Sequence, residues 1–233
     1  MIDINKHRFY LFQILKQIYS DTEISGLLGF KGGTALMFFY DLPRFSVDLD
    51  FNLLDTTKED LVYEKVRTIL LSHGSIHDEA KKFFGPLLVL DYGQNERKLK
   101  VEISKRVFSD RYEIKSLMGQ SIKVMVPEDL LAHKLCALLD RPTITNRDVF
   151  DIWFLLSRKT PVNPRIIETR IEKPLSDYLD QCISTIEKLK ENKLLAGVGD
   201  LLDEKMKNFV RHKLKDEVLE YLRFYQKYPI LQV

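Results

Sequence analysis

The sequence has little of several features that would assign it to a special class of protein. It contains two cysteines, Cys136 and Cys182, in 233 residues, which argues against a disulfide framework or a cysteine-based zinc site. Both lie in helical, apolar patterns, so we expect small core residues. No run approaches the ~20 apolar residues of a membrane span. The N-terminal segment lacks the apolar core of a signal peptide, so we expect a cytoplasmic protein without membrane contact.

The chain also lacks a strong net charge, since its formal charge is +2 at pH 7. A nonspecific nucleic-acid binder usually carries a larger basic excess, so any contact with nucleic acid should be a local patch. Hydrophobic residues make up 45% and charged residues 30%, an ordinary globular balance that allows one large domain or two small ones.

Hydrophobic periodicity predicts an α+β fold, with a mixed sheet and flanking helices in the first part and helices alone after it. The predicted strands are 44–53, 86–92, 97–104 and 121–126. The predicted helices are 6–20, 33–41, 58–72, 127–140, 147–157, 164–172, 174–192 and 200–226.

Residues 44–51, RFSVDLDF, alternate strictly between polar and apolar side chains. On a strand, one face would carry the apolar set and the other would carry Arg44, Ser46, Asp48 and Asp50. The two aspartates would lie about 7 Å apart along the backbone. They could share Mg²⁺, which commonly uses one or two carboxylates plus substrate phosphates. A solvent-facing edge strand is the alternative explanation of such a pair.

The alternation in residues 98–104, KLKVEIS, places Glu102 on the polar face of a second strand. If this strand lies beside 44–51 in the sheet, Glu102 joins Asp48 and Asp50. Three carboxylates can bridge two metal ions, the arrangement that activates an attacking oxygen and stabilises a leaving phosphate. Considered alone, Glu102 could equally be a surface residue.

Gly32, Gly33 and Thr34 precede the short helix predicted at 33–41. The glycines would let the backbone approach a ligand closely, and the helix N-terminus would offer N–H groups to a phosphate. The Thr34 hydroxyl could add a hydrogen bond, and Lys31 could meet phosphate charge. The alternative is a simple loop-to-helix junction.

Charged side chains interrupt the apolar surfaces of two later helices. Lys134 lies on the apolar stripe of the helix at 127–140, and Arg141 lies close to the same line. The next helix is apolar nearly all round but contains Asp148 and Asp151. Because a buried charge is costly unless it is paired, we predict ion pairs between these aspartates and the two cations. For Asp151 we favour a purely structural role.

The order of these motifs resembles a known superfamily. Gly32-Gly33-Thr34 followed by Asp48-Leu49-Asp50 resembles the glycine-containing helix and Asp-x-Asp strand of polymerase-β-like nucleotidyltransferases, with threonine where serine is usual. The string KGGTAL…RFSVDLDF is similar to the AbiEii/AbiGii abortive-infection toxin family within that superfamily. Further matching residues are Lys134, Leu135, Ala137, Arg141, Arg147, Asp148 and Asp151.

The resemblance implies a nucleotidyltransferase core at 1–126, helices completing the nucleotide site at 127–160, and a C-terminal helical region at 161–233. We expect the last region to bind the acceptor. The implied reaction is Mg²⁺-dependent transfer of nucleotides from NTP to an RNA such as the tRNA 3′ end, with one or two ions. A neutralising antitoxin would be the protein partner, in a toxin–antitoxin or phage-defence system.

The resemblance also implies roles for individual residues. Asp48, Asp50 and Glu102 would hold the metal and, with Lys134, form the catalytic set. Lys134 would contact the triphosphate, and Asp148 would orient that lysine or contact substrate. The nucleotide-binding residues would be Lys31, Gly32, Gly33, Thr34, Ser46, Lys134 and Asp148.

Three other functions stay open from the sequence. A toxin that binds GTP or another nucleotide without transferring it would keep nucleotide affinity in Asp48→Ala and form no product. A small-molecule nucleotidyltransferase of the antibiotic-modifying type would label a small hydroxylated acceptor and not RNA. A metal-dependent hydrolase would release phosphate from NTP without any acceptor.

Overall fold

The computed structural model describes residues 3–141 and 143–228. The predicted domains also include residues 1, 2, 142 and 229–233, which lie outside the described residues. The chain divides into two compact units, which we call the sheet unit and the helical unit. The sheet unit comprises Met1–Asp41, Phe45–Val107 and Tyr112–Met125, and the helical unit comprises Leu42–Arg44, Phe108–Arg111 and Val126–Val233.

The sheet unit contains a mixed sheet whose seven described strands run in the order β3-β4-β5-β2-β1-β7-β6. The β2–β5 and β1–β7 pairs are parallel, and the others are antiparallel. The sheet with its flanking helices confirms the predicted α+β class. The elements are α1 Ile4–Ser20, β1 Leu28–Lys31, α2 Gly32–Phe39, β2 Asp48–Leu53, α3 Glu59–Leu71, β3 Ser75–Lys82, β4 Gly85–Asp91, β5 Leu99–Ser104, β6 Tyr112–Leu117 and β7 Gln120–Met125.

The centre of the sheet is a pair of parallel strands, β2 and β5, with one continuous apolar face. Leu49 lies opposite Val101 and Phe51 lies opposite Ile103, and all four side chains are fully buried. Helix α1 packs on the sheet unit's core, where the Tyr19 ring is 6.4 Å from Phe51. Because side chains alternate along a strand, burying this face fixes which residues point the other way.

The segment before β2 differs from its prediction. The strand begins at Asp48 rather than at residue 44, and Arg44 and Ser46, expected on an open polar face, are 5% and 6% exposed. The Ser46 amide donates to Sδ of Met37 at 3.3 Å.

A buried histidine anchors the chain where it enters β2. Nε2 of His7 is 2.9 Å from the Val47 carbonyl oxygen, and Nδ1 is 2.6 Å from the Tyr92 hydroxyl. Because a carbonyl only accepts, Nε2 carries the proton and Nδ1 accepts from Tyr92. Burial lowers the pKa of His7 below 6.5, partly offset by the hydrogen bond to Val47.

This histidine should make the stability of the fold depend on pH. Below about pH 6.5 the His7 imidazole binds a proton in the unfolded chain but not in the folded protein. The free energy of unfolding therefore falls as the pH falls toward the folded pKa of His7. Above about pH 6.5 the contribution of His7 to stability is fully present. Between pH 7.5 and 5.0 the wild type should lose more Tm than His7→Phe does. His212→Phe, a substitution at an exposed position, is the control variant. Equal pH dependence of Tm in His7→Phe and in the wild type would refute the role assigned to His7.

The helical unit is built around α4 Pro127–Asp140 and α5 Asn146–Ser157, and buried tyrosines of later helices bind α4 and the segment after α5. Tyr178 donates to the Leu135 carbonyl oxygen at 2.9 Å, and Tyr225 donates to the Thr160 carbonyl oxygen at 2.6 Å. The helix predicted at 200–226 is two helices, α8 and α9. The helices are α4 Pro127–Asp140, α5 Asn146–Ser157, α6 Pro164–Ile171, α7 Leu175–Glu187, α8 Glu204–His212 and α9 Leu214–Lys227.

Both cysteines are buried and free, which agrees with their predicted core positions. Within residues 3–141 and 143–228, no helix combines the length and the apolar character needed to cross a membrane.

Candidate active site

Three acidic side chains lie on neighbouring strands of the sheet unit. Strand β5 pairs with β2 in the register that sets Asp50 directly opposite Glu102, the adjacency that the two alternating segments required. Asp48 and Asp50 are both partly exposed and, being two residues apart on β2, share its polar face. The three predicted carboxylate residues are therefore brought to one region of the sheet.

A lysine that the sequence analysis did not assign to the site lies among these carboxylates. Lys100 is the register partner of Asp48, and its Nζ is 3.0 Å from Oε2 of Glu102. Burial alone would lower the pKa of Lys100, but Asp50, Asp48 and Glu102 together hold it above its ordinary value. The alternation in KLKVEIS places Lys100 on the same face as Glu102. This pattern could have indicated from the sequence that Lys100 belongs to the site.

The carboxylates perturb one another. Burial, reinforced by Asp48 and Glu102, raises the pKa of Asp50 to about 6, although Lys100 and Lys31 oppose the rise. Burial would also raise the pKa of Glu102, but Lys100 outweighs it and the pKa is lowered. Asp50 is thus the acidic side chain whose charge is least compensated, as expected of a group that gains from a bound cation.

The donor chemistry of this region suits Mg²⁺, although the carboxylates do not form a complete protein cage. Among the described residues, no group of three or more His, Cys, Asp or Glu side chains is arranged to hold a metal ion, and Glu102 is engaged by Lys100. Magnesium bound together with a nucleotide needs only one or two carboxylates, since phosphates and water supply the other oxygens. Asp48 and Asp50 fit that requirement.

The N-terminus of α2 abuts the Asp50 carboxylate. Gly32 has φ +81°, and a Cβ built on it would lie 2.4 Å from Oδ2 of Asp50. Lys31, the residue before the helix, is the register partner of Asp50. The Thr34 hydroxyl is buried and donates to the backbone carbonyl of Asp48, so it joins α2 to β2. With Gly33, these residues bring the first-turn N–H groups of a helix to the carboxylates.

Replacing Gly32 by alanine should impair catalysis more than it impairs folding. Both the positive φ and the collision with Asp50 act at this position. Gly119 has φ +84° but nothing within 4 Å of its built Cβ, so Gly119→Ala carries only the backbone strain, about 1 kcal/mol or somewhat more. We expect Gly32→Ala to lose at least as much Tm as Gly119→Ala, while nucleotide transfer falls at least about 10-fold in Gly32→Ala alone. Equal activity in the two variants would contradict this.

The helical unit contains a separate buried cluster of charges. Nζ of Lys134 is 2.8 Å from Oδ1 of Asp148 and 2.7 Å from Oδ2 of Asp151. Arg141 reaches Asp148 at 3.0 Å, which confirms the predicted pairing across the two helices. The member that the sequence analysis did not connect is Arg44, whose Nε and Nη2 donate to the two oxygens of Asp151 at 2.6 and 2.7 Å.

The two ends of this cluster differ. The Asp151 side chain is 0% exposed, and Arg44 with Lys134 holds its pKa below its usual value against the effect of burial. Oδ2 of Asp148 is close to Arg141, but the approach does not make a hydrogen bond, and within the described residues this buried oxygen has no other partner. Asp148 thus keeps an oxygen that can accept a further donor.

Comparisons with known proteins bear on the fold and the family. A solved structure of JHP933 from Helicobacter pylori matches with a TM-score of 0.63 and 22% identity, covering 96% of this chain and 92% of that one. MenT4, a nucleotidyltransferase toxin from Mycobacterium tuberculosis, matches with a TM-score of 0.62 and 16% identity, covering 97% and 85%. At these identities the similarity establishes the fold. No curated protein is significantly similar in sequence.

The family follows from the sequence itself. Residues 13–227, most of the chain, match the family model described as the nucleotidyl transferase AbiEii toxin of type IV toxin–antitoxin systems. The resemblance drawn from the glycine pair and the Asp-x-Asp strand is thereby confirmed. The chain belongs to the AbiEii family of nucleotidyltransferase toxins.

Proposed function

We propose that this nucleotidyltransferase uses Mg²⁺ and transfers nucleotides from NTP to an RNA acceptor such as the 3′ end of tRNA. The observation that supports the proposal is the meeting at Asp50 of two different elements. One is the carboxylate set of β2 and β5, and the other is the N-terminus of α2, in contact distance of Asp50 through Gly32. A nucleoside triphosphate with its metal needs both a carboxylate ligand set and N–H donors for phosphate.

The binding step assigns work to residues of the sheet unit. Asp48 and Asp50 would hold Mg²⁺, which supplies neutralisation of the triphosphate charge when bound. The backbone N–H groups of Gly32, Gly33 and Thr34 bind phosphate oxygens. The Thr34 hydroxyl is not among these donors, because it donates to the backbone carbonyl of Asp48. Lys31 adds positive charge beside Asp50. Ser46 is buried in the segment before β2, and its contact with the nucleotide stays a prediction.

In the transfer step, the acceptor's 3′-hydroxyl oxygen attacks the α-phosphorus in line, a new O–P bond forms, and the bond to pyrophosphate breaks. The hydroxyl proton passes to a carboxylate or to water. Glu102 is the carboxylate we assign to that end of the reaction, as proton acceptor or additional metal ligand, because Lys100 keeps it ionised. Most of the rate enhancement comes from positioning and charge stabilisation.

Lys134 and Asp148 belong to the helical unit, where they form an ion pair. We propose that Lys134 contacts the triphosphate and that Asp148 orients it. Asp151 and Asp148 hold the pKa of Lys134 above its ordinary value against the effect of burial, so the lysine stays cationic at neutral pH. A fixed cation of this kind stabilises the negative charge that develops on the pyrophosphate leaving group.

The deciding experiment offers the purified chain each α-³²P-labelled NTP with Mg²⁺ and total RNA, and follows label in RNA on a denaturing gel. Label in the tRNA band, lost with EDTA and in Asp50→Asn, is the expected result. Label on an aminoglycoside-type acceptor offered in place of RNA would indicate a small-molecule enzyme, and labelled NDP or NMP formed without any acceptor would indicate hydrolysis. Nucleotide binding with no product under any NTP would refute transfer.

Membership of a type IV toxin–antitoxin family supports two further proposals, a cognate antitoxin and a role in phage defence. Expression of the chain should arrest bacterial growth, and Asp50→Ala should relieve the arrest. Growth arrest that persists in Asp50→Ala at equal protein level would separate toxicity from transfer.

A further inference from the structure

The turn between β3 and β4 presents two aromatic rings to solvent. Phe83 is 84% exposed and Phe84 is 55% exposed, and their centroids are 4.9 Å apart in an edge-to-face arrangement. Large apolar side chains at such exposure at a turn contribute little to the core, and neighbouring exposed rings are characteristic of recognition surfaces.

The tip of this hairpin is held against the end of β5. The Lys105 amide donates to the Phe84 carbonyl oxygen at 2.9 Å. Gly85 has φ +118°, and a Cβ built on it would lie 2.1 Å from the Ile103 carbonyl oxygen, so the backbones are in close contact. The rings are therefore carried by a fixed turn that lies beside the end of β5, the strand of Glu102.

Cations are interleaved with the exposed rings. The Arg106 guanidinium lies over the Phe84 ring at 5.0 Å, Lys82 is exposed, and Val107 is 75% exposed. We call Lys82, Phe83, Phe84, Arg106 and Val107 the hairpin-tip patch.

Two lysines border this patch, and each faces a carboxylate of α3. Lys81 pairs with Asp60 at 2.6 Å and Lys105 pairs with Glu59 at 3.0 Å. These pairs are formally neutral, and the cations of the patch itself are Lys82, which is exposed, and Arg106, which lies over a ring. Exposed rings combined with cations complement a strand that carries both base faces and phosphates.

The patch is close to the proposed site of chemistry. Arg106 follows Glu102 by four residues, so their Cα atoms are at most about 14 Å apart. At a stacked rise of ~3.4 Å per base, such a distance corresponds to about four bases.

We propose that the hairpin-tip patch binds the unpaired end of the RNA acceptor, with bases stacked on Phe83 and Phe84 and phosphates beside Arg106 and Lys82. This inference rests on the proposed function, because RNA is the acceptor class proposed there. Stacking on rings tolerates any base, so the patch recognises a single strand rather than a sequence. A paired helix cannot offer its base faces, so a duplex is bound less tightly.

The test measures RNA binding by the full chain without NTP, using fluorescence anisotropy. The probes are an unstructured RNA of about 12 nucleotides, within the span of a single-strand site, and the same sequence as a duplex. We expect tighter binding of the single strand, about 10-fold weaker binding in Phe83→Ala, and a salt-dependence slope lower by about one in Arg106→Gln.

Met118→Ala is the matched control, because Met118 is 80% exposed and lies in the β6–β7 turn of the same unit. It should bind both RNAs like the wild type. Unchanged single-strand affinity in Phe83→Ala, an equal loss in Met118→Ala, or no preference for the single strand would overturn the inference. So would a self-association that Phe83→Ala abolishes while RNA affinity stays the same.

The failure of this inference and the failure of the proposed function are separable. Asp50→Asn should bind the single-stranded RNA as tightly as the wild type, since the carboxylate is not part of the patch. If transfer is absent but binding depends on Phe83, the patch is supported and the transfer proposal fails. If transfer occurs and the KM for RNA is unchanged in Phe83→Ala, the patch is refuted and the transfer proposal stands.

Discussion

Asp50→Asn is expected to reduce nucleotide transfer by at least about 1000-fold, equivalent to roughly 4 kcal/mol of transition-state stabilisation, while leaving the fold intact. Asn keeps the size of the side chain and removes one negative charge from a group that burial, together with Asp48 and Glu102, already destabilises. Tm should therefore stay the same or rise. This combination, lost activity with equal or greater stability, is expected of a carboxylate kept for binding a cation rather than for folding.

The measurement pairs transfer kinetics with thermal unfolding. Asp78→Asn is a matched control, because Asp78 is an exposed carboxylate on β3 of the same sheet, and its removal should change neither quantity. Mg²⁺ should raise the Tm of the wild type in the presence of NTP and not that of Asp50→Asn, since a ligand stabilises only the protein that binds it. A Tm several degrees lower in Asp50→Asn would mark Asp50 as structural, and retained transfer would exclude it from the site.

The carboxylate face could be predicted because its information is local. The alternation in RFSVDLDF and KLKVEIS has a period of two residues, and burial of one face determines the other. Two of the three strands that were missed, β1 and β3, lack this signal. Strand β3, SIHDEAKK, is mostly exposed and lies at the sheet edge, where no face must be apolar. Strand β1 is four residues long, too short for a period to be recognised.

Arg44 illustrates what a local pattern cannot contain. It was placed on an open strand face with Ser46, yet it is 5% exposed because Asp151, 107 residues later in the chain, neutralises it. Desolvation of an arginine is tolerated only with such a partner. The sequence indicated that Asp151 needed a cation, and it offered Lys134 and Arg141 at neighbouring helical positions. The third cation came from a distant segment.

Asp151→Asn should cause the largest loss of stability of any single substitution considered. Asp151 is 0% exposed, between Arg44 at 3% and Lys134 at 15%, and its removal takes away a carboxylate that both buried cations contact. Breaking a buried ion pair by removing one partner costs about 3–5 kcal/mol, which for a chain of this size lowers Tm on the order of 10 °C. Thermal unfolding measured by circular dichroism tests this directly.

Two comparisons decide what such a loss means. Glu204→Gln breaks an exposed pair with Lys207 and should leave Tm nearly unchanged, so charge removal alone does not reproduce the effect. Asp151→Leu combined with Arg44→Met replaces the buried pair by apolar groups and should recover much of the stability, because the cost arises from uncompensated charge rather than from a lost attraction. If Asp151→Asn instead had the Tm of the wild type and a lower affinity for NTP, Asp151 would act in nucleotide binding. The stability of this cluster would then depend on Arg44 and the other neighbours of Asp151.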